Sequence, residues 1–131
     1  MVSRTITQKV RFAATTHDVY ELLMDAKKHA AFTGGAAKIS RRVGGTFSVF
    51  DGYAVGKNIE LVKDERIVQW WRASDWEEGI WSTVTFDLEP VRGGCQLTFT
   101  QTGVPPDAVS GIRQGWKDFY WIPMNDMLEN A

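Results

Sequence analysis

Little in this chain suggests a covalent or metal-built scaffold. Its 131 residues include one cysteine, Cys95, which excludes an intramolecular disulfide and any multi-cysteine metal site. The two histidines, His17 and His29, stand in no metal-ligand spacing such as HExxH. No charge of one sign dominates: 15 basic against 16 acidic residues leave a net charge of −1. That balance argues against a nucleic-acid binder, which needs a concentrated basic surface to neutralise phosphates. No apolar run approaches the roughly 18 residues that cross a bilayer. The opening residues, Met1 to Thr5, lack the apolar core of a signal peptide. The expectation is a cytoplasmic protein with no nucleic-acid or membrane partner.

Aromatic residues, by contrast, are plentiful: six Trp, three Tyr and seven Phe. Such rings can fill a core or line a cavity, and composition does not choose between the two. The length fits one domain, 1–131, large enough to bury a core without disulfides.

Hydrophobic periodicity orders the elements. Thr5 to Phe12 alternates as a strand, with Ile6, Gln8, Val10 and Phe12 on one face. Thr15 or Thr16 caps a helix carrying Val19, Tyr20, Leu22 and Leu23. Asp25 to Phe32 continues as a second short helix or turn, ended by Thr33-Gly34-Gly35. Strands follow from Lys38. Thr46–Phe50 and Tyr53–Val62 are joined by Asp51-Gly52, a two-residue hairpin signal. Gly56 marks a bulge or a close backbone approach. Arg66–Ala73, Trp81–Leu88 and Gln96–Thr102 complete the run, the last two joined through 89–94. Gly103-Val104-Pro105-Pro106 stops the sheet. Asp107 caps a final helix to about Leu128, whose stripe includes Val109, Ile112, Trp116, Phe119, Tyr120, Met124 and Met127. Pro123 removes a backbone donor and predicts a kink near 119–123. Runs of strands rather than alternation indicate an α+β fold with an antiparallel sheet.

No catalytic constellation stands out. The histidines read as exposed helix residues. Cys95 reads as an ordinary packed thiol. The glycine pairs 34–35 and 44–45 read as turns, lacking the context of a phosphate loop. Asp75, Glu77 and Glu78 read as solvated loop carboxylates, because burying unpaired charge is costly.

Several segments together carry a resemblance. They are Phe32-Thr33-Gly34, Gly44 to Gly52, Gly56 to Val62, Arg66 to Arg72, Trp76 to Gly79, Thr102 to Pro105 and Gly115 to Pro123. In this order and spacing the chain resembles the C-terminal domain of activators of the heat-shock-protein-90 ATPase, within the START-like (SRPBCC) superfamily. The resemblance spans nearly the whole chain. It implies a helix-grip fold: a curved antiparallel sheet of six or seven strands around a long C-terminal helix, with two short helices after the first strand. It also implies an apolar cavity between sheet and helix. The chaperone activators carry an additional N-terminal domain for which this chain has no room. The isolated chain is therefore expected not to stimulate the chaperone's ATPase appreciably.

The aromatic set then defines the candidate site. Phe47, Trp71, Phe86 and Phe99 alternate along strands, Ile112, Trp116 and Tyr120 share the helix stripe, and Phe32 closes one end. Which of Trp70 and Trp71 points inward stays open, as does the choice between filled core and cavity. The favoured function is binding of a small apolar or aromatic molecule, with no catalytic residue, metal or cofactor, by a monomer or homodimer. The alternatives are a chaperone co-factor or stress-response interaction protein, and a cyclase- or hydrolase-type enzyme using the same cavity.

Overall fold

The computed structural model describes residues 3–129. Seven strands form one antiparallel sheet in the order β1-β7-β6-β5-β4-β3-β2. They are β1 (Arg4–Phe12), β2 (Lys38–Ile39), β3 (Thr46–Val49), β4 (Ala54–Val62), β5 (Arg66–Ala73), β6 (Ser82–Val91) and β7 (Gly94–Val104). Two short helices, α1 (Thr16–Met24) and α2 (Ala26–Thr33), follow β1. The C-terminal helical run consists of α3 (Val109–Trp116), a π turn (Lys117–Trp121) and α4 (Ile122–Glu129). This is the expected helix-grip arrangement, with the run gripped by the curved sheet.

Local chemistry explains the boundaries. Thr15 caps α1, its hydroxyl accepting from the Asp18 N–H at 3.0 Å. Asp25 caps α2 in the same way, accepting from Lys28 N–H at 3.0 Å, and Gly34 ends that helix at φ +80°. These caps satisfy donors that a helix start leaves without partners. Asp107 does not cap α3. It sits in a short 3-10 turn, Pro106–Ala108, and no side chain caps the helix behind it.

The hairpins differ from the sequence reading in detail. Val49 pairs with Ala54, so four residues, not two, connect β3 and β4. Three of them have left-handed backbone: Phe50 (φ 53°), Asp51 (φ 56°) and Gly52 (φ 92°). The β6–β7 turn is tighter than expected, because Val91 pairs with Gly94. Pro90 is tolerated in β6 because it lies beyond the last β5 pair, Arg66–Asp87, so no β5 carbonyl needs its missing N–H.

Gly56 is a close-approach residue: a Cβ there would collide with the Trp70 carbonyl and the Phe47 ring. The bulge lies nearby, between Asn58 and Glu60. Alternation along β5 decides the tryptophan question. Trp71 is 5% exposed and faces the helix, while Trp70 is 47% exposed under the Lys57 ammonium.

The disturbance expected from Pro123 takes the form of the π turn, in which the Ile122 N–H donates to the Lys117 carbonyl five residues back. A π turn brings residues five apart onto one face. Trp116 and Trp121 accordingly stack, 5.7 Å between centroids and 18° between planes. Trp121 is therefore buried, whereas Phe119, expected on the buried stripe, is 53% exposed.

Candidate functional site

Between the sheet and the helical run lies an open cavity of about 340 Å³. Phe50, Tyr53, Ala54 and Trp71 form its sheet side. The helix contributes Ile112, Trp116, Phe119 and Tyr120, with Gly111 and Gly115 between them. A glycine costs a helix interior roughly 1 kcal/mol relative to alanine. Here the two glycines, one turn apart, leave space. A Cβ at Gly111 would meet nothing within 4 Å, and one at Gly115 only the Phe119 ring edge at 3.9 Å.

The walls are held from behind by polar bonds. The Trp116 indole N–H donates to Gln101 Oε1 at 2.9 Å. Gln101 donates through Nε2 to Ser82 Oγ at 2.9 Å, and the Ser82 hydroxyl donates to the Trp71 carbonyl at 2.7 Å. One buried chain thus links the helix wall to the sheet wall. On β1, Gln8 accepts from the Trp121 indole at 2.8 Å and donates to the Arg113 carbonyl at 3.1 Å. Each of these groups would be expensive to bury alone.

The rim is set by a second device. The Asp51 carboxylate accepts from the Ala36 N–H at 2.8 Å, and the Asp51 N–H donates to the Ala36 carbonyl at 3.1 Å. The two loops approach so closely that a Cβ on Gly35 would lie 2.9 Å from Phe50 Cα. Phe50 is thereby held in a left-handed conformation rare for a bulky residue. Its ring meets Phe119 edge-on at 5.4 Å.

Of the eight residues singled out from sequence, Trp71, Ile112, Trp116 and Tyr120 line this cavity. Phe47 and Phe86 border a void of only about 20 Å³ deeper in. Phe99 packs 4.4 Å from Trp116, and Phe32 packs on His29 and Tyr120. Core and cavity therefore coexist, the cavity beginning where the ring cluster ends. Phe50, Tyr53 and Phe119 are the lining rings absent from that set. Phe50 and Tyr53 lie in the β3–β4 turn rather than in the strands the sequence predicts for them, and Phe119 reaches the cavity from the exposed edge of the predicted helix stripe.

His29 overturns its sequence reading. It is buried, and its Nε2 lies 2.9 Å from the Tyr120 hydroxyl. Nδ1 makes no hydrogen bond of ordinary geometry. Burial lowers its pKa to about 4, an effect the nearby Leu23 and Leu22 carbonyls oppose. Burial also raises the Tyr120 phenol well above its usual range. His17 is exposed, as expected, and lies 2.9 Å from Asp64. Cys95 is buried and its pKa raised, chiefly by desolvation, the opposite of a reactive thiol. Among the described residues no cluster of three or more His, Cys, Asp or Glu could hold a metal ion. No helix among them is long and apolar enough to cross a membrane.

Comparison with known proteins adds relatives to this geometry. Residues 13–129 match the model of a family described as Activator of Hsp90 ATPase homolog 1-like protein. The human "Activator of 90 kDa heat shock protein ATPase homolog 1" is 30% identical over 116 residues, 88% of this chain and 34% of the relative. A Dictyostelium discoideum protein, "Activator of 90 kDa heat shock protein ATPase homolog", is 32% identical over 120 residues, 88% of this chain and 30% of the relative. The chain thus spans about a third of the length of these curated relatives. The crystal structure of an Hsp90 activator from Plasmodium falciparum superposes with a TM-score of 0.88 at 25% identity, covering 98% of this chain and 97% of that one. A Mesorhizobium loti protein superposes at 0.85 with 18% identity, covering 98% of each chain, a likeness of fold.

Proposed function

The chain belongs to the Activator of Hsp90 ATPase homolog 1-like family, and on that premise we propose that it is a binding protein whose cavity takes a small apolar or aromatic molecule. The observation that carries this reading is the open, ring-lined cavity of about 340 Å³ between sheet and helix. A dry apolar cavity of about 150 Å³ already takes up benzene, so this one has room for a larger aromatic body. Trp71, Ile112, Trp116 and Tyr120 would contact it, joined by Phe50, Tyr53 and Phe119. No side chain in that group is charged, so affinity would come from apolar burial and ring contacts.

The test uses Gly115→Leu, because Trp116→Ala would remove a core ring and cost about 3–5 kcal/mol of stability. A leucine at Gly115 has its Cβ in ordinary van der Waals contact with the Phe119 ring edge, at a position that lines the cavity. Phenylnaphthylamine, a neutral fluorescent probe, should bind the wild-type protein and raise its unfolding midpoint by mass action. Gly115→Leu should weaken binding about tenfold or more, while Lys117→Ala should leave it unchanged. Absence of wild-type binding, or equal binding to Gly115→Leu, would overturn the proposal.

A second reading, a chaperone co-factor, is favoured by the names of the relatives at 30% and 32% identity. Steady-state ATP hydrolysis by the chaperone separates the two. Stimulation by this protein that survives Gly115→Leu would favour the second reading over the first.

A further inference from the structure

The face of the sheet turned away from the helices has a chemistry of its own. Strand register places Thr46, Lys57, Trp70, Thr83 and Thr102 in one row across it. The next row runs Lys38, Ser48, Val55 and Arg72, with the Trp81 ring under the Arg72 guanidinium. Their neighbours along the strands, among them Phe47, Gly56, Trp71 and Ala73, are buried on the opposite face. Every charge in the two rows is positive, and none of Lys38, Lys57 and Arg72 forms an ion pair among the described residues. Farther along the same face the pattern reverses: Arg66 is matched by Glu60 at 3.5 Å and by Asp87 at 2.7 Å. Two large rings lie among the unmatched cations. Trp70 and Trp81 are 47% and 45% exposed, and each has a cation 5.7 Å from its ring centre, Lys57 Nζ and Arg72 Cζ respectively. Arg72 also donates to the Trp76 and Glu77 carbonyls at 2.6 and 3.3 Å, bonds that fix the guanidinium and leave its charge uncompensated. The loop it holds carries Asp75, Glu77 and Glu78, and none of these carboxylates pairs with a cation of the two rows.

We propose that this patch docks an acidic segment of another protein: an extended stretch whose carboxylates meet Lys38, Lys57 and Arg72 while an apolar side chain between them covers Trp70. Tryptophan and arginine are among the side chains that most often dominate binding energy at protein interfaces, and unmatched cations around them select a partner of opposite charge. The span sets the spacing. Lys38 and Arg72 stand three strands apart, about 14 Å at roughly 4.8 Å per strand, which an extended chain crosses in about four residues. The rings favour protein over nucleic acid, because a base stacking on either of them competes with the cation already over it. The patch lies across the sheet from the apolar chamber, so the inference is independent of what the chamber binds.

The experiment uses fluorescence anisotropy with three labelled peptides, each made of three repeats of Glu-Ala-Phe-Ala, Gln-Ala-Phe-Ala or Lys-Ala-Phe-Ala. The glutamate peptide should bind about fivefold tighter than the glutamine peptide, the lysine peptide should bind weakest, and about 0.5 M salt should narrow the gap. Lys57→Glu/Trp70→Thr should weaken the glutamate peptide about tenfold, and Lys57→Glu alone about threefold. Both side chains are exposed and threonine suits a strand, so the fold is retained. Lys9→Glu makes the same charge change in the row of Arg66 and should leave binding unchanged, as should Gly115→Leu in the chamber. Equal binding of the three peptides, no binding of the glutamate peptide, or an equal loss in Lys9→Glu overturns the inference. Tighter binding of a twelve-nucleotide oligothymidylate, lost in the double variant, overturns it in favour of a nucleic-acid surface.

Discussion

His29 is a residue whose neighbourhood reverses its ordinary chemistry. In the unfolded chain it titrates near 6.5, whereas burial holds it near 4 in the folded protein. Above about pH 6.5 it is neutral in both states and adds no pH dependence. As pH falls from 6.5 towards 4 the unfolded chain takes up a proton that the folded chain refuses, so stability declines, and it levels off below. The full decline is worth about 3 kcal/mol. Urea midpoints measured across this range should show it. The double variant His29→Leu/Tyr120→Phe, which removes both hydrogen-bonding partners together, should have a flatter profile over pH 5–6.5. An unchanged slope would assign the decline to other groups. Nothing in the local pattern of α2 distinguishes His29 from the exposed His17. Its burial depends on Tyr120, 91 positions away, and such a pairing has no short-range signature.

At the scale of elements, strands and helices were legible because their periodicities are local. The cap at Thr15 or Thr16, the alternation of β1, and the succession along the chain of one strand, two short helices, a run of strands and a final helix follow from that. The tertiary contacts were not. Trp121 looks like an off-stripe residue until the π turn brings it over Trp116, and Asp107 looks like a cap until the 3-10 turn takes its place. Half of the eight candidates line the chamber, because periodicity along strand and helix tells inward from outward but not how deep a side chain sits. The buried Gln101–Ser82 link was invisible too, since isolated polar residues in strands usually signal solvent.

The clamp between the α2–β2 loop and the β3–β4 turn is likewise a tertiary device, and it makes a specific demand. In Gly35→Ala the new Cβ, 2.9 Å from Phe50 Cα, would force the loops apart. We expect a loss of about 1–3 kcal/mol in chemical denaturation, typical of overpacking against backbone. A neutral result would show that the clamp yields without cost.

For the molecule as a whole, the two sides of the chamber are tied down very differently. The sheet side belongs to a ladder in which β4 pairs with β5 from Ala54–Ala73 to Val62–Arg66, and β5 pairs in turn with β6. The helix side is held by side chains, chiefly Trp116 on Gln101 and Trp121 on Gln8, and includes a turn with non-α hydrogen bonding. Amide exchange should therefore be slower in β5 and β6 than in residues 109–121. A bound aromatic probe should slow exchange chiefly in that helical stretch, and uniform slowing across β4 and β5 would contradict the assignment. In mechanical language, the chamber has one stiff wall and one compliant wall. A guest of awkward size would be accommodated by displacement of the helix, so width would be negotiable. The contour presented by Trp71 and the clamped Phe50 would not be, and discrimination between guests of similar volume would fall to that fixed side.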